Sequence, residues 1–259
     1  MKVLILAAGQ GTRLKPLTDD KPKCMVKING KSIIQRQIET LRDCGIKEDE
    51  IFILSGYKSD ILEEYLSDTK VNFIKNFEFQ HTNMVYTMMC AEKILNEEED
   101  IILAYGDIVY NKEIIQLLME KKNNISVIVD DGWYDYWKMR CDNPLDDAET
   151  LKFDNEDYLL EIGQKTKDLK DVESQYIGLM KFSPIGIKEV VTFFYEAKRR
   201  SLSDELLVKS SGRDYKNMYM TDLLQGLIDE GKKIKAVHIN RGWFEIDCKN
   251  DLEIAEKYI

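Results

Sequence analysis

Apolar residues in the first half of the chain follow two alternating rhythms. Short continuous runs fall at Lys2–Ala7 (KVLILA), 51–54 (IFIL), 71–74, 101–104 (IILA) and 125–129 (ISVIV). Runs of this length, apolar at successive positions, read as strands covered on both faces. Between them the spacing turns helical. Ile33, Ile34, Gln37, Ile38 and Leu41 form one stripe, and helices are predicted over 60–66, 84–95 and 112–121. This strand–helix alternation predicts an α/β fold with a mostly parallel, doubly wound sheet.

The rhythm changes near Asp130. Segments 150–153, 158–162 and 176–182 alternate or are broken by turns, and predict extra strands in a small β-rich lid or edge subdomain spanning about 130–183. Helices return at 185–200 and 220–231. A late strand at 234–239 precedes 243–247 and a last helix over 249–258. The sequence holds only four prolines, with no low-complexity linker and no internal repeat. One domain over 1–259 is therefore expected, with 130–183 as an acceptor-binding insertion.

Charge and cysteine content narrow the partners. The 37 basic and 47 acidic residues leave a net charge of −10, a field that repels nucleic acid. A small anion can still bind where basic residues gather. The five cysteines are scattered without CxxC-like spacing, which predicts free thiols in a reducing cytoplasm rather than disulfides or a zinc site. No run approaches the roughly 20 apolar residues of a membrane span, and the run over 3–8 is too short for a signal peptide.

The first strand runs into Leu6-Ala7-Ala8-Gly9-Gln10-Gly11-Thr12-Arg13-Leu14-Lys15-Pro16-Leu17-Thr18, followed by Pro22-Lys23. Small residues let backbone N–H groups approach phosphate oxygens. Arg13 offers a planar fork and Lys23 a mobile point charge. The loop sits at the carboxyl end of a strand, where open α/β sheets bind ligands. A dinucleotide fingerprint would need Gly at Leu14, and a Walker A loop would need Gly at Met25. Further on, a buried strand ends in Gly106-Asp107, and Trp243-Phe244-Glu245-Ile246-Asp247 follows the last strands. Two carboxylates with phosphate oxygens suit Mg²⁺, which prefers hard oxygen ligands and few protein ones.

The glycine loop through Lys23, the Gly30-Lys31-Ser32-Ile33-Ile34 segment and the C-terminal Asp247 motif resemble the nucleotidyltransferase family that includes sugar-1-phosphate and phosphocholine nucleotidyltransferases. The resemblance spans nearly the whole chain. It implies a Rossmann-like fold and an NTP over the loop, with Arg13 on the distal phosphates and Lys23 at the α-phosphate. It also implies Asp107 and Asp247 as Mg²⁺ ligands, with Glu245 behind them. Arg13, Lys23, Asp107 and Asp247 are thus the expected catalytic set. The nucleotide is expected against Leu6, Ala7, Ala8, Gly9, Gly11, Thr12, Arg13, Lys23, Gln80, Asn83, Thr87 and Gly106. The implied reaction is in-line attack of an acceptor phosphate on the NTP α-phosphorus, which needs no general base. His81 and His238 are read as structural, with His81 bordering the base loop.

Amides such as Gln80 and Asn83 read either a 4-amino or a 4-oxo pyrimidine edge, which leaves CTP and UTP open. The Asn83-x-x-x-Thr87 pattern resembles phosphocholine-type cytidylyltransferases, and this favours CTP; both residues also suit a helix N-terminus. The Glu-Lys-Pro motif usual in hexose enzymes is replaced around Glu161–Lys165, and C-terminal hexapeptide repeats are absent. The stretch 130–140 is dense in aromatics and acids. Trp133, Tyr136 and Trp137 are expected to hold a polar or cationic acceptor and Arg140 its phosphate, with Glu149, Lys152 and Gln175 as further contacts. The combination WxxR…NPLxDAET…YIGLMKF resembles a bacterial cytidylyltransferase subgroup whose acceptor is L-glutamine phosphate, giving CDP-L-glutamine for capsular phosphoramidate. Phosphocholine or 2-aminoethylphosphonate as acceptor, a hexose-1-phosphate uridylyl- or thymidylyltransferase, and an inactive regulatory scaffold are the competing readings. The oligomeric state is not written in the sequence, and a homodimer stays open.

Overall fold

The computed structural model describes residues 1–203, 206, 208 and 211–259. Seven strands build the central sheet: β1 (Lys2–Ala7), β2 (Ile51–Ser55), β3 (Asn72–Lys75), β4 (Ile101–Tyr105), β5 (Ile125–Asp130), β6 (Gln175–Phe182) and β7 (Ile234–Ile239). Their order is β3-β2-β1-β4-β6-β5-β7. Neighbours are parallel except at β6, which runs antiparallel to both β4 and β5.

Successive residues of a strand face opposite sides, so continuous apolar strands feed two cores. Val3, Ile5, Ile102 and Ala104 pack on one face, against α1 (Ile33–Asp43), α2 (Ser59–Tyr65), α4 (Lys112–Met119) and α5 (Trp133–Arg140). Leu4, Ile101 and Leu103 pack on the other, against α3 (Met84–Met89), α6 (Pro184–Ser201) and α7 (Met220–Asp229). The Ile33, Ile34, Gln37, Ile38, Leu41 stripe is the buried face of α1, whose start is fixed by a capping box between Ser32 and Gln35. Helix α8 (Lys249–Tyr258) closes the chain.

The expectation for 176–182 is corrected. It belongs to no lid: β6 lies inside the main sheet, paired on both edges, and from Ile177 to Phe182 every residue is buried. Turn-rich flanks hid its burial on two faces. The smaller β unit is the hairpin of Leu151–Phe153 and Leu159–Ile162. It leans on α7, where Gln225 Oε1 accepts from the Ile162 N–H at 2.9 Å.

Order 3-2-1-4 makes the sheet reverse direction of winding between β1 and β4, and a crevice opens there at the carboxyl ends. Gly178 shapes its floor. It has φ +80, where the register of β6 against β5 shifts, and a Cβ there would lie 2.4 Å from the Tyr105 ring. Gly178→Ala combines left-handed strain with a clash that neither the ring nor the strand can relieve. It should destabilise the protein by about 2–4 kcal/mol, read as a lower urea midpoint.

Candidate active site

Three chain segments converge on the crevice. The loop after β1 brings Arg13 and Lys23. Gly11, in the left-handed region at φ +61, lets the loop double back on Lys23; a Cβ there would sit 2.8 Å from Lys23 Cβ. The Thr18 hydroxyl donates to Gly11 O at 2.8 Å and holds the turn. Strand β4 ends at Tyr105 and delivers Asp107 through Gly106. Buried Gln37 on α1 clamps that turn, donating from Nε2 to Tyr105 O at 2.8 Å and to Ile108 O at 2.5 Å. Trp243–Glu245 then pairs antiparallel with Ile108–Tyr110, setting Glu245 opposite Ile108. Ile246 N–H donates to Asp107 O at 2.9 Å, which seats Asp247 alongside.

Asp107, Glu245 and Asp247 each present a carboxylate oxygen within 4.8 Å of the others. Like charges at that distance repel by about 3 kcal/mol per pair at an effective dielectric constant near 20. Cations offset this. Lys23 Nζ donates to Asp107 Oδ2 at 2.7 Å and also contacts Asp247, whose other oxygen pairs with Arg13. Burial would lower the Lys23 ammonium; Asp107, Asp247 and Glu245 outweigh it and hold the lysine charged, above its usual range. Burial, with Asp107 and Asp247 beside it, pushes Glu245 up to about 7 against the opposing Arg140 and Lys23. The buried Asp107 Oδ1 has no hydrogen-bond partner among the described residues. A cluster of hard oxygens with a free buried lone pair fits a divalent cation, held by Asp107 and Asp247 with Glu245 adjacent.

Two cavities meet at this cluster and share Met84 and Tyr105. The first, about 690 Å³ of free space, is lined by Leu6, Ala7, Ala8, Gly9, Lys23, Asn83, Thr87, Gly106 and Asp107, all expected from the sequence. Cys24, Phe79, Thr82, Met84 and Tyr105 complete its wall without having been anticipated. Gly11, Thr12, Arg13 and Gln80 are not in that wall; Arg13 lines the second cavity and Gln80 is exposed. Asn83 caps α3, its Oδ1 accepting from Met84 N–H at 2.9 Å. Thr87 is buried, accepting from Asn76 Nδ2 at 2.9 Å and donating to Asn83 O at 3.1 Å. Asn76, invisible to motif reading, thus organises the loop.

The second cavity is lined by Arg13, Trp137, Asp147, Glu149, Gln175, Tyr219, Glu245 and Asp247 among others. Of the expected acceptor residues Trp137, Glu149 and Gln175 reach it, and Trp133, Tyr136, Arg140 and Lys152 do not. Trp133 and Tyr136 are core residues at 4% and 0% exposure, because α5 turns them onto the sheet. The Tyr136 hydroxyl donates to Glu245 O at 3.3 Å and accepts from Glu245 N–H at 2.9 Å. Arg140 is no phosphate fork either. Its guanidinium is spent on Glu245 at 2.8 Å and Asp251 at 2.9 Å, packed over Trp137. Lys152 pairs with Asp171 at 2.7 Å, outside both cavities. His238 bonds Asp131 at 2.9 Å and His81 is exposed.

A glycine-bearing loop with Lys23 and Arg13, a convergent carboxylate cluster and two adjoining cavities at a sheet switch point are the arrangement of an enzyme that handles nucleotide phosphates. Residues 2–135 match the family described as Nucleotidyl transferase, and the chain belongs to that family. It is a nucleotidyltransferase. It is 42% identical over 259 residues to CTP:phosphoglutamine cytidylyltransferase of Campylobacter jejuni, covering 98% of both chains. It is also 26% identical to the bifunctional protein GlmU of Methanocaldococcus jannaschii, of which it spans 54%. Among solved structures, CTP:phosphocholine cytidylyltransferase from Streptococcus pneumoniae shares the fold at TM-score 0.71 and 20% identity, over 99% of this chain and 97% of that one. The inositol-1-phosphate CTP transferase of T. maritima does so at 0.72 and 19%, over 99% and 95%. Among the described residues, no helix is long and apolar enough to cross a membrane.

The Arg140 arrangement yields a direct test. Arg140→Met leaves Glu245 and Asp251 without their cation inside the protein. It should cost about 3–5 kcal/mol of stability by denaturant titration, the usual loss on breaking a buried pair. A phosphate-binding Arg140 would instead show a raised acceptor KM at unchanged stability.

Proposed function

We propose that this enzyme transfers CMP from CTP to phosphoglutamine, giving CDP-L-glutamine and pyrophosphate, as a step toward phosphoramidate decoration of a capsule. The observation that carries it is the meeting of Asp107, Asp247, Lys23 and Arg13 where a base-loop cavity adjoins an acceptor cavity. The choice of base and acceptor rests on the Campylobacter relative and on the Asn83–Thr87 loop. We read 1–259 as a single catalytic domain working in the cytoplasm on soluble substrates.

In this reading backbone N–H groups of Ala8–Gly11 meet the triphosphate. An acceptor phosphate oxygen attacks the α-phosphorus of CTP in line, and the bond to the β-phosphate oxygen breaks as the new P–O bond forms. The acceptor phosphate is already ionised at neutral pH, so no side chain has to take a proton. Both reactants are anions, and the work is alignment and charge neutralisation. Lys23 and Arg13 supply positive charge at the phosphates. Mg²⁺ bound at Asp107 and Asp247 would add the Lewis acidity that neutralises the transferring phosphoryl oxygens. Asn83 keeps its Nδ2 free of any partner among the described residues, and that amide faces the base.

Pyrophosphate release from CTP, UTP and dTTP, each against phosphoglutamine, phosphocholine, 2-aminoethylphosphonate and glucose 1-phosphate, tests the assignment. Turnover is expected with CTP and phosphoglutamine; turnover only with UTP or dTTP and glucose 1-phosphate sinks it. Asp107→Asn and Asp247→Asn should each lower kcat roughly 100-fold or more while leaving circular dichroism unchanged. Chelation with EDTA should abolish turnover, and added Mg²⁺ should restore it.

A further inference from the structure

Four carboxylates line the second cavity: Asp147, Glu149, Glu245 and Asp247. Three are already engaged. Asp247 holds Lys23 and Arg13, Glu245 holds Arg140 at 2.8 Å, and Asp147 accepts from Trp137 Nε1 at 3.0 Å. The Glu149 carboxylate makes no hydrogen bond or ion pair among the described residues. The cations within its electrostatic reach are engaged as well. Lys165 donates to Asp147 O at 2.9 Å, and Arg213 bonds both oxygens of buried Asp222 at 3.1 and 3.2 Å.

Glu149 is also held in place. Gln175, on the central strand β6, accepts from the Glu149 N–H at 3.3 Å and donates to its carbonyl at 2.6 Å. The carboxylate therefore stands on a rigid mount in a half-buried position. Burial, with Asp147 and Asp222 nearby, raises its pKa, a measure of a charge the protein leaves poorly compensated. Trp137 and Tyr219 line the same cavity, with Arg140 over the Trp137 ring at 4.9 Å and Arg213 over the Tyr219 ring at 4.0 Å. An unpaired carboxylate in a cavity that also has aromatic residues in its wall suits an ammonium group.

We infer that Glu149 receives a positively charged nitrogen of the acceptor and so selects phosphorylated acceptors that carry one. This rests on the reading of the second cavity as the acceptor site. The acceptor phosphate must lie at the Arg13–Asp247 end, where the reacting groups are. Glu149 belongs to the wall anchored by Gln175, and it reads the part of the molecule that does not react.

The test measures kcat/KM with saturating CTP for wild type, Glu149→Gln and Glu149→Asp. The acceptors are phosphoglutamine and its counterpart without the α-amino group. Wild type should prefer the amino form, and Glu149→Gln should shrink that preference roughly tenfold to a hundredfold, the worth of one charge-assisted contact. Glu149→Asp should keep part of it. Thermal midpoints with and without CTP check that each variant folds and binds nucleotide. Equal losses on both acceptors, or an undiminished preference, overturn the inference. If wild type turns over neither acceptor, the phosphoglutamine reading fails instead. Phosphocholine against 2-hydroxyethyl phosphate then puts the same question to Glu149.

Discussion

Everything at the site depends on holding three mutually repelling carboxylates at one point. Asp107, Glu245 and Asp247 come from chain segments far apart in sequence, and their repulsion alone would push those segments away from each other. Lys23 and Arg13 reverse the sign of the interaction and tie the loop after β1 to both segments. The same positive charges suit the phosphates of a nucleotide. Lys23 and Arg13 occupy the carboxylate oxygens that a cation would take, so binding of a nucleotide with its metal exchanges these pairs for phosphate contacts.

The supporting shell explains why that cluster can be precise. Gln37 clamps the carbonyls on either side of Gly106-Asp107, and the Ile108–Tyr110 ladder carries Glu245 into register. Behind it, Arg140 joins α5 to α8 by way of Asp251, which also accepts from the backbone of Asp247 and Cys248. A residue that resembled a ligand-binding arginine is thus a brace. Its charge is used up in fixing the position of the groups that face the substrates.

The antiparallel strand β6 lines the second cavity from Gln175 to Gly178. Gly178 admits the Tyr105 ring, and Tyr105 then borders both cavities. Gln175, at the start of the same strand, carries the Glu149 wall. A single strand inserted against the direction of its neighbours thereby couples the core of the sheet to the wall of the second cavity.

Most elements and most of the lining of the first cavity were legible in local sequence pattern. Short apolar runs, a helical stripe and a glycine loop are local features, and Leu6–Gly9, Lys23 and Asp107 follow one another along strand–loop paths that local rules describe. Tertiary structure decided which side chains remain available. Trp133, Tyr136 and Arg140 have the composition of a binding pocket, yet their helix turns two into the core and neutralises the third. Asn76 and Gln37 carry no motif, but burial makes their hydrogen bonds indispensable. Sequence grouped Glu149 with Lys152 and Gln175 as acceptor contacts, and the fold separates them: it pairs Lys152 with Asp171, turns Gln175 onto the Glu149 backbone and leaves the Glu149 carboxylate without a partner among the described residues. Availability is set by what a group already touches, and those contacts link residues that no local pattern connects.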